Sequence, residues 1–173
     1  NFGEPTQPPP PEGRSPHLVL FSSNLSSQHG LPCPWAPLRE IAIQTGIEQV
    51  ILVGKQVRPP ADLDLPVESV GFLSPADVSA LLLKVRFGYA FVGPQLFAKS
   101  GIFAAFAAHG VLPLVPTSAS TLPDDLQAGT HYARIGFPSD LASLARLHQS
   151  LLDWYHHHDL AATAACFAQR LSR

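Results

Sequence analysis

The sequence predicts an α/β fold, a doubly wound parallel sheet of about six strands with helices on both faces. Three observations lead there. Residues 18–21 and 50–53 are continuous short apolar runs, as in strands buried on both faces rather than one. Such runs alternate along the chain with helical stretches of about ten residues, which implies right-handed βαβ crossovers. Glycine and proline punctuate the alternation, as at Gly46, Gly54 and Gly110.

Taken in order, residues 1–16 (NFGEPTQPPPPEGRSP) carry six prolines and few apolar side chains, and read as a polyproline linker. The folded domain is expected over 17–173. Its first strand is 18–21, followed by a loop rich in Ser, Asn and Gly. A helix is expected over 35–45, with Gly46 as its stop. The second strand is 50–53 and the third lies in VESVGFL. Ser74 is an N-cap, Pro75 takes the first helical position and Asp77 lies in the first turn, so a helix runs to about Lys84. FGYAFVG is the fourth strand. A helix over 100–109 and the strand VLPLVP follow. Residues 122–127 read as a short helix and YARIGF as a last strand. Ser139 is the expected cap of a helix over 140–155, and a final helix covers 160–171.

The bulk properties exclude several classes. The chain has 173 residues, 46% of them hydrophobic and 14% charged, so it can bury a full core. Its net charge is −2, which offers no basic field for nucleic acid. No apolar run reaches membrane-spanning length. Two cysteines, Cys33 and Cys166, make no disulfide framework, and free thiols in a reducing compartment are expected. The chain has no methionine and opens on no signal sequence, so a fragment of a longer cytoplasmic protein is expected.

Sheets of this kind bind ligands beyond the carboxyl ends of their strands. The candidate residues therefore lie in the strand-to-helix loops. Loop 93–101 reads GPQLFAKSG. A helix starting near Ser100 would point three or four free N–H groups outward, an anion site by geometry and dipole. Gly101 admits a ligand to the backbone, and Lys99 could reach the same anion. The plain alternative is an N-cap serine beside a solvated lysine. Ser22, Ser23 and Asn24 follow the first strand and could bond phosphate or sugar, or simply cap a turn. Lys55 stands at the equivalent place after the second strand. Gly71, Phe72, Leu73 and Ser74 follow the third, where backbone groups suit a nucleobase edge and an apolar side chain its face. The run His156, His157, His158 does not converge on a metal, because consecutive helical residues splay by about 100°. There is no Gly-x-Gly-x-x-Gly after the first strand, no Walker loop and no nucleophile elbow.

The string VGFLSPADVSALLLKVRFGYAFVGPQLFAKSGIFAAFAAHGVLPLV resembles the C-terminal, donor-binding half of group-1 type glycosyltransferases of the GT-B fold. The resemblance rests on the Gly-hydrophobic-hydrophobic turn at 71–73, the pattern Ser74-Pro75-Ala76-Asp77-Val78-Ser79-Ala80-Leu81-Leu82, and residues 104–115. It is clear over about 67–115. It implies a Rossmann-like domain forming one half of a GT-B enzyme, with UDP or a UDP-sugar as ligand. Lys99, Ser100 and Gly101 would hold the diphosphate. Gln95, Leu96 and Phe97 would lie on the sugar side, with Leu96 and Phe97 exposed by the missing acceptor domain. Many members carry two glutamates eight positions apart, which would fall near Phe97 or Ala98 and at Ala105. Both are absent here.

The resemblance further implies that the full-length enzyme moves a hexose to a glycan or lipid-linked acceptor in polysaccharide synthesis, with peripheral association at the inner membrane face. No catalytic side chain, metal or cofactor is expected in this half. Two alternatives stay open: a non-catalytic nucleotide-binding or scaffolding domain of the same fold, and a UDP-sugar 2-epimerase-like enzyme.

Overall fold

In the computed structural model, β1 (Ser15–Phe21), β2 (Gln49–Val53), β3 (Val67–Gly71), β4 (Val85–Tyr89) and β5 (Leu112–Leu114) form one parallel sheet. Their order is β3-β2-β1-β4-β5. The structure describes residues 5, 7–22, 35–90, 94–117, 119–137 and 140–171 and, for Ala36, Pro94, Gln95, Ala98 and Leu160, the backbone alone. Among the described residues four helices flank the sheet, α1 (Trp35–Thr45), α2 (Pro75–Leu82), α3 (Gly101–Ala108) and α4 (Leu141–His158), and α5 (Leu160–Leu171) follows α4 as a largely exposed helix outside both cores.

Strand side chains alternate between two cores, as the pleat requires. Val19, Phe21, Ile51 and Val53 pack with Val78 and Leu82 of α2 and with Phe103 and Phe106 of α3. Leu18, Leu20, Val50 and Leu52 pack with Trp35, Leu38 and Ile41 of α1 and with Leu144 and Leu147 of α4. Leu151, further along α4, belongs to the first core, so α4 wraps the β5 edge. Both faces are covered, which is why the strands read as unbroken apolar runs.

Three expectations need correction. Residues 122–127 are not helical. They lie in an antiparallel hairpin of β6 (Thr121–Leu122) and β7 (Leu126–Gln127), turned by Asp124 and Asp125 at φ 59° and 56°. Aspartate tolerates that left-handed region and proline disfavours helix propagation, so turn chemistry wins. YARIGF does not form the expected last strand: Ala133 makes only an isolated bridge to Leu114, and the sheet has five strands where about six are expected. The cap of α4 is Asp140, not Ser139: its carboxylate accepts from Ser143 N at 2.9 Å and from Ser143 Oγ at 2.7 Å.

The packed chain also begins earlier than its composition suggests. Pro11–Gly13 is a 3-10 turn, Pro11 is buried and Arg14 is only 3% exposed. Arg14 donates to the carbonyls of Pro9 (2.8 Å), Leu82 (3.0 Å), Val85 (3.3 Å) and His109 (2.6 Å). Arg86 donates to the carbonyls of Pro11 and Arg14. Proline has no N–H to offer, so this stretch brings more carbonyl acceptors than donors, and the two guanidinium groups supply the missing donors; Pro11 O takes a second bond beside that from Arg14 N. Two histidines share the node. His109 donates from Nδ1 to Ala105 O and accepts at Nε2 from Ser79 Oγ, each at 2.8 Å. His148 donates from Nδ1 to Gly110 O at 2.9 Å.

Candidate functional site

In this strand order the chain moves from β1 outward to β3, then returns past β1 to β4. The order therefore reverses between β1 and β4, and the carboxyl ends of those strands are where sheets of this kind take their ligands. Ser22, directly after β1, is buried. Its Oγ occupies the space that a Cβ on Gly54 would need, 2.5 Å away. Gly54 has φ 109° and donates its N–H to Gly71 O at 2.7 Å. The ends of β1, β2 and β3 thus meet through Ser22, Gly54 and Gly71, and glycine at 54 is what permits the approach.

Beyond Gly71 (φ 70°), Phe72 stands 80% exposed and Leu73 packs partly against the core. Ser74 is committed to capping α2. Its Oγ accepts from Asp77 N at 3.2 Å and donates to the Asp77 carboxylate at 2.6 Å. Lys55 is exposed at the end of β2.

After β4, Pro94–Lys99 is a 3-10 segment that delivers the chain to α3. Ser100 caps that helix, its Oγ accepting from Phe103 N at 3.2 Å. Ala104 N is bonded to Ser100 O at 3.0 Å. Among the described residues this leaves two first-turn amides, Gly101 and Ile102, open to a ligand, fewer than the expected three or four. A Cβ at Gly101 would meet nothing within 4 Å, so the approach is unobstructed. Lys99 is exposed beside this mouth, and no carboxylate among the described residues pairs with it or with Lys55.

The sugar-side expectation divides. Leu96 is 49% exposed, as expected. Phe97 is fully buried, its ring 4.7 Å from Phe103 and 6.2 Å from Tyr132. Its apolar ring is thus core, and the expectation that it faces a cleft is corrected. Ser23 and Asn24 lie outside the described residues, as does the Gln95 side chain.

Sequence reasoning passed over a group on the far side of α3. Trp154 packs edge-on against Phe103, with centroids 5.4 Å apart, and stacks on His158 at 4.3 Å and 17°. His131 lies 6.4 Å from the Trp154 ring. The signal for this group in the sequence is Trp154, which precedes the HHH run and packs against both Phe103 and His158. Among the described residues no three metal-ligating side chains converge, and no helix is long and apolar enough to cross a membrane. A pocket of about 270 Å³, lined by α1 residues such as Arg39 and Ile43 and by Leu63 and Asp64, contains none of the candidate residues.

No protein-family pattern matches the chain, and no curated protein matches it. Among solved structures it is similar to an alpha-glucosyltransferase (AGT) in complex with UDP. The TM-score is 0.59 at 10% sequence identity, over 96% of this chain and 53% of the other. The likeness is one of fold. The chain spans about half the length of that glucosyltransferase and has the architecture of a GT-B-like half, a Rossmann-like parallel sheet flanked by helices.

Proposed function

We propose that this chain is the donor-nucleotide-binding domain of a glycosyltransferase, and that UDP or a UDP-sugar is its ligand. The observation that carries the reading is the mouth of α3. Two open amides, an unobstructed glycine and a lysine that no described carboxylate pairs stand together at the carboxyl end of β4, beside the reversal of strand order. That is the chemistry of a diphosphate site, with fixed N–H donors, the positive end of a helix dipole and a mobile cation. The likeness to a glucosyltransferase in complex with UDP supports the same ligand class.

In this reading the base lies against Gly71, Phe72, Leu73 and the start of α2, with the exposed Phe72 ring available for stacking. The diphosphate lies against Lys99, Ser100 and Gly101, with Ser22, Ser23, Asn24 and Lys55 around it. Gln95 and Leu96 approach the sugar. The charge that develops in glycosyl transfer falls on the leaving diphosphate, and prepositioned donors at this mouth would stabilise it. The full-length enzyme would then pass a hexose to a glycan or lipid-linked acceptor held by a second domain, in the cytoplasm or at the inner membrane face. Calorimetric titration with UDP, GDP, ADP and uridine tests the reading. UDP binding that exceeds uridine binding supports it, and no nucleotide binding at all removes it.

One observation favours a second reading, a nucleotide-binding scaffold without transfer activity. Ala105 and Phe97 are buried and apolar where many relatives by resemblance carry carboxylates. Nucleotide binding by the full-length protein without hexose transfer would select it.

A further inference from the structure

The groups around Trp154 sit where a sugar would fall if the nucleotide reading holds. α4 runs antiparallel to α3: His148 bonds Gly110 beyond the end of α3, and Trp154 packs on Phe103 in its first turn. The mouth of α3 therefore lies between two features. On one side is the 71–74 turn at the end of edge strand β3. On the other is the end of α4, the helix that wraps the opposite edge at β5. A nucleoside diphosphate hexose is a linear sequence of base, ribose, diphosphate and hexose. With the base at 71–74 and the diphosphate at α3, an extended ligand would carry its hexose toward Trp154, which packs on Phe103 in the first turn of α3.

The hydrogen bonds fix what the two imidazoles there present. Gln127 N donates to His131 Nδ1 at 3.0 Å. Nδ1 must then be the acceptor, and the neutral ring carries its proton on Nε2. His158 Nδ1 faces Trp154 O at 2.7 Å. A carbonyl can only accept, so Nδ1 carries the proton and Nε2 keeps a lone pair. One ring thus offers a donor and the other an acceptor. Burial, together with the nearby His158, holds the His131 pKa below its ordinary value, which keeps that ring neutral. Trp154 holds the pair in place. Its indole donates to Asp124 O at 3.4 Å and its face supports the His158 ring. His158 is exposed and His131 half-buried, so both remain within reach of a ligand.

We propose that His131 and His158 form a subsite for the hydroxyls of the donor hexose, with Trp154 as the residue that positions them. The proposal rests on the nucleotide reading above. A sugar hydroxyl both donates and accepts, and a neutral donor–acceptor pair meets both capacities without a buried charge to desolvate. An apolar ring face beside polar groups suits a pyranose, whose own surface is similarly mixed.

The test compares UDP, UDP-glucose and UDP-galactose by calorimetry on the wild type, His158→Asn and His131→Asn. Asparagine keeps the Nδ1-side bond in each case, acceptor or donor, and removes Nε2. Circular dichroism checks that each variant folds, and His158→Asn, on an exposed helix end, decides the matter if His131→Asn does not fold. The expected result is an unchanged UDP affinity, within twofold, and about a fivefold loss for at least one UDP-hexose. Equal losses for UDP and the UDP-hexoses, or no loss for either hexose, overturn the subsite and leave the nucleotide reading standing. Failure of the wild type to bind any of the three ligands overturns both.

Discussion

Arg14 Nη2 donates to the His109 carbonyl at 2.6 Å, joining the start of β1 to the end of α3 across 95 residues of sequence. The same guanidinium bonds carbonyls at the end of α2 and the start of β4. One side chain therefore satisfies acceptors from two helix ends. Burial lowers its pKa to about 10, so it remains charged at neutral pH.

Arg14→Ala should destabilise the fold by about 3 kcal/mol, since several buried carbonyls lose their donor at once. Arg14→Lys should recover only part of that, because an ammonium cannot span carbonyls set in a fork. Urea denaturation of both variants checks the order. Equal stability of wild type and Arg14→Ala would mean the bonds contribute nothing net.

The fold should lose stability on mild acidification. Burial foremost, and the Arg14 charge as well, hold the His109 and His148 pKa values below 6.5, against smaller opposing effects of their backbone bonds. Groups whose folded pKa is depressed take up protons preferentially in the unfolded chain. Their contribution is complete above about pH 6.5 and is lost as pH falls toward the folded values. His131 adds an effect of the same sign. Melting temperatures across pH 8 to 5 should fall, and His148→Gln should flatten the fall. A stability that rises toward pH 5 contradicts the sign.

Gly110→Ala should cost about 2 kcal/mol. Gly110 has φ 63°, and a Cβ there would run into the His148 ring. Thermal denaturation measures the loss. Gly101→Ala is the control, since its Cβ would enter open space and the stability should hardly move.

Lys99→Ala should weaken UDP binding about tenfold and leave uridine binding nearly unchanged, since only UDP carries the diphosphate. Stability should not change, because the side chain is exposed. Titration calorimetry with both ligands separates the cases. Parallel losses would place Lys99 on the base or in the fold rather than at the diphosphate.

Much of the architecture was legible because the sheet is buried on both faces. Runs such as 18–21 are too short for a buried helix and are bounded by turn residues, which favours strand, and Ser74-Pro75 with Asp77 marks a helix start by chemistry alone. Residues 122–127 were misread because a six-residue stretch of mixed polarity carries no usable period. Asp124 and Asp125 act there through a backbone conformation that composition does not reveal. Arg14 stayed hidden for a different reason. Its partners are main-chain carbonyls distant in sequence, which no side-chain pattern encodes. At the site, the loops were found because strand ends locate them. The fate of each side chain was not, because exposure within a loop depends on packing from elsewhere, as Phe97 beneath Phe103 and Tyr132 shows.

The proline-rich strap has a mechanical consequence. Tension applied to the chain ahead of Pro9 reaches the Arg14 guanidinium before it reaches the ladder bonds of β1. Arg14 divides that load between the ends of α2 and α3 and the base of β4. Whatever pulls on this strap pulls on three elements that converge at the amino edge of the sheet, opposite the mouth of α3.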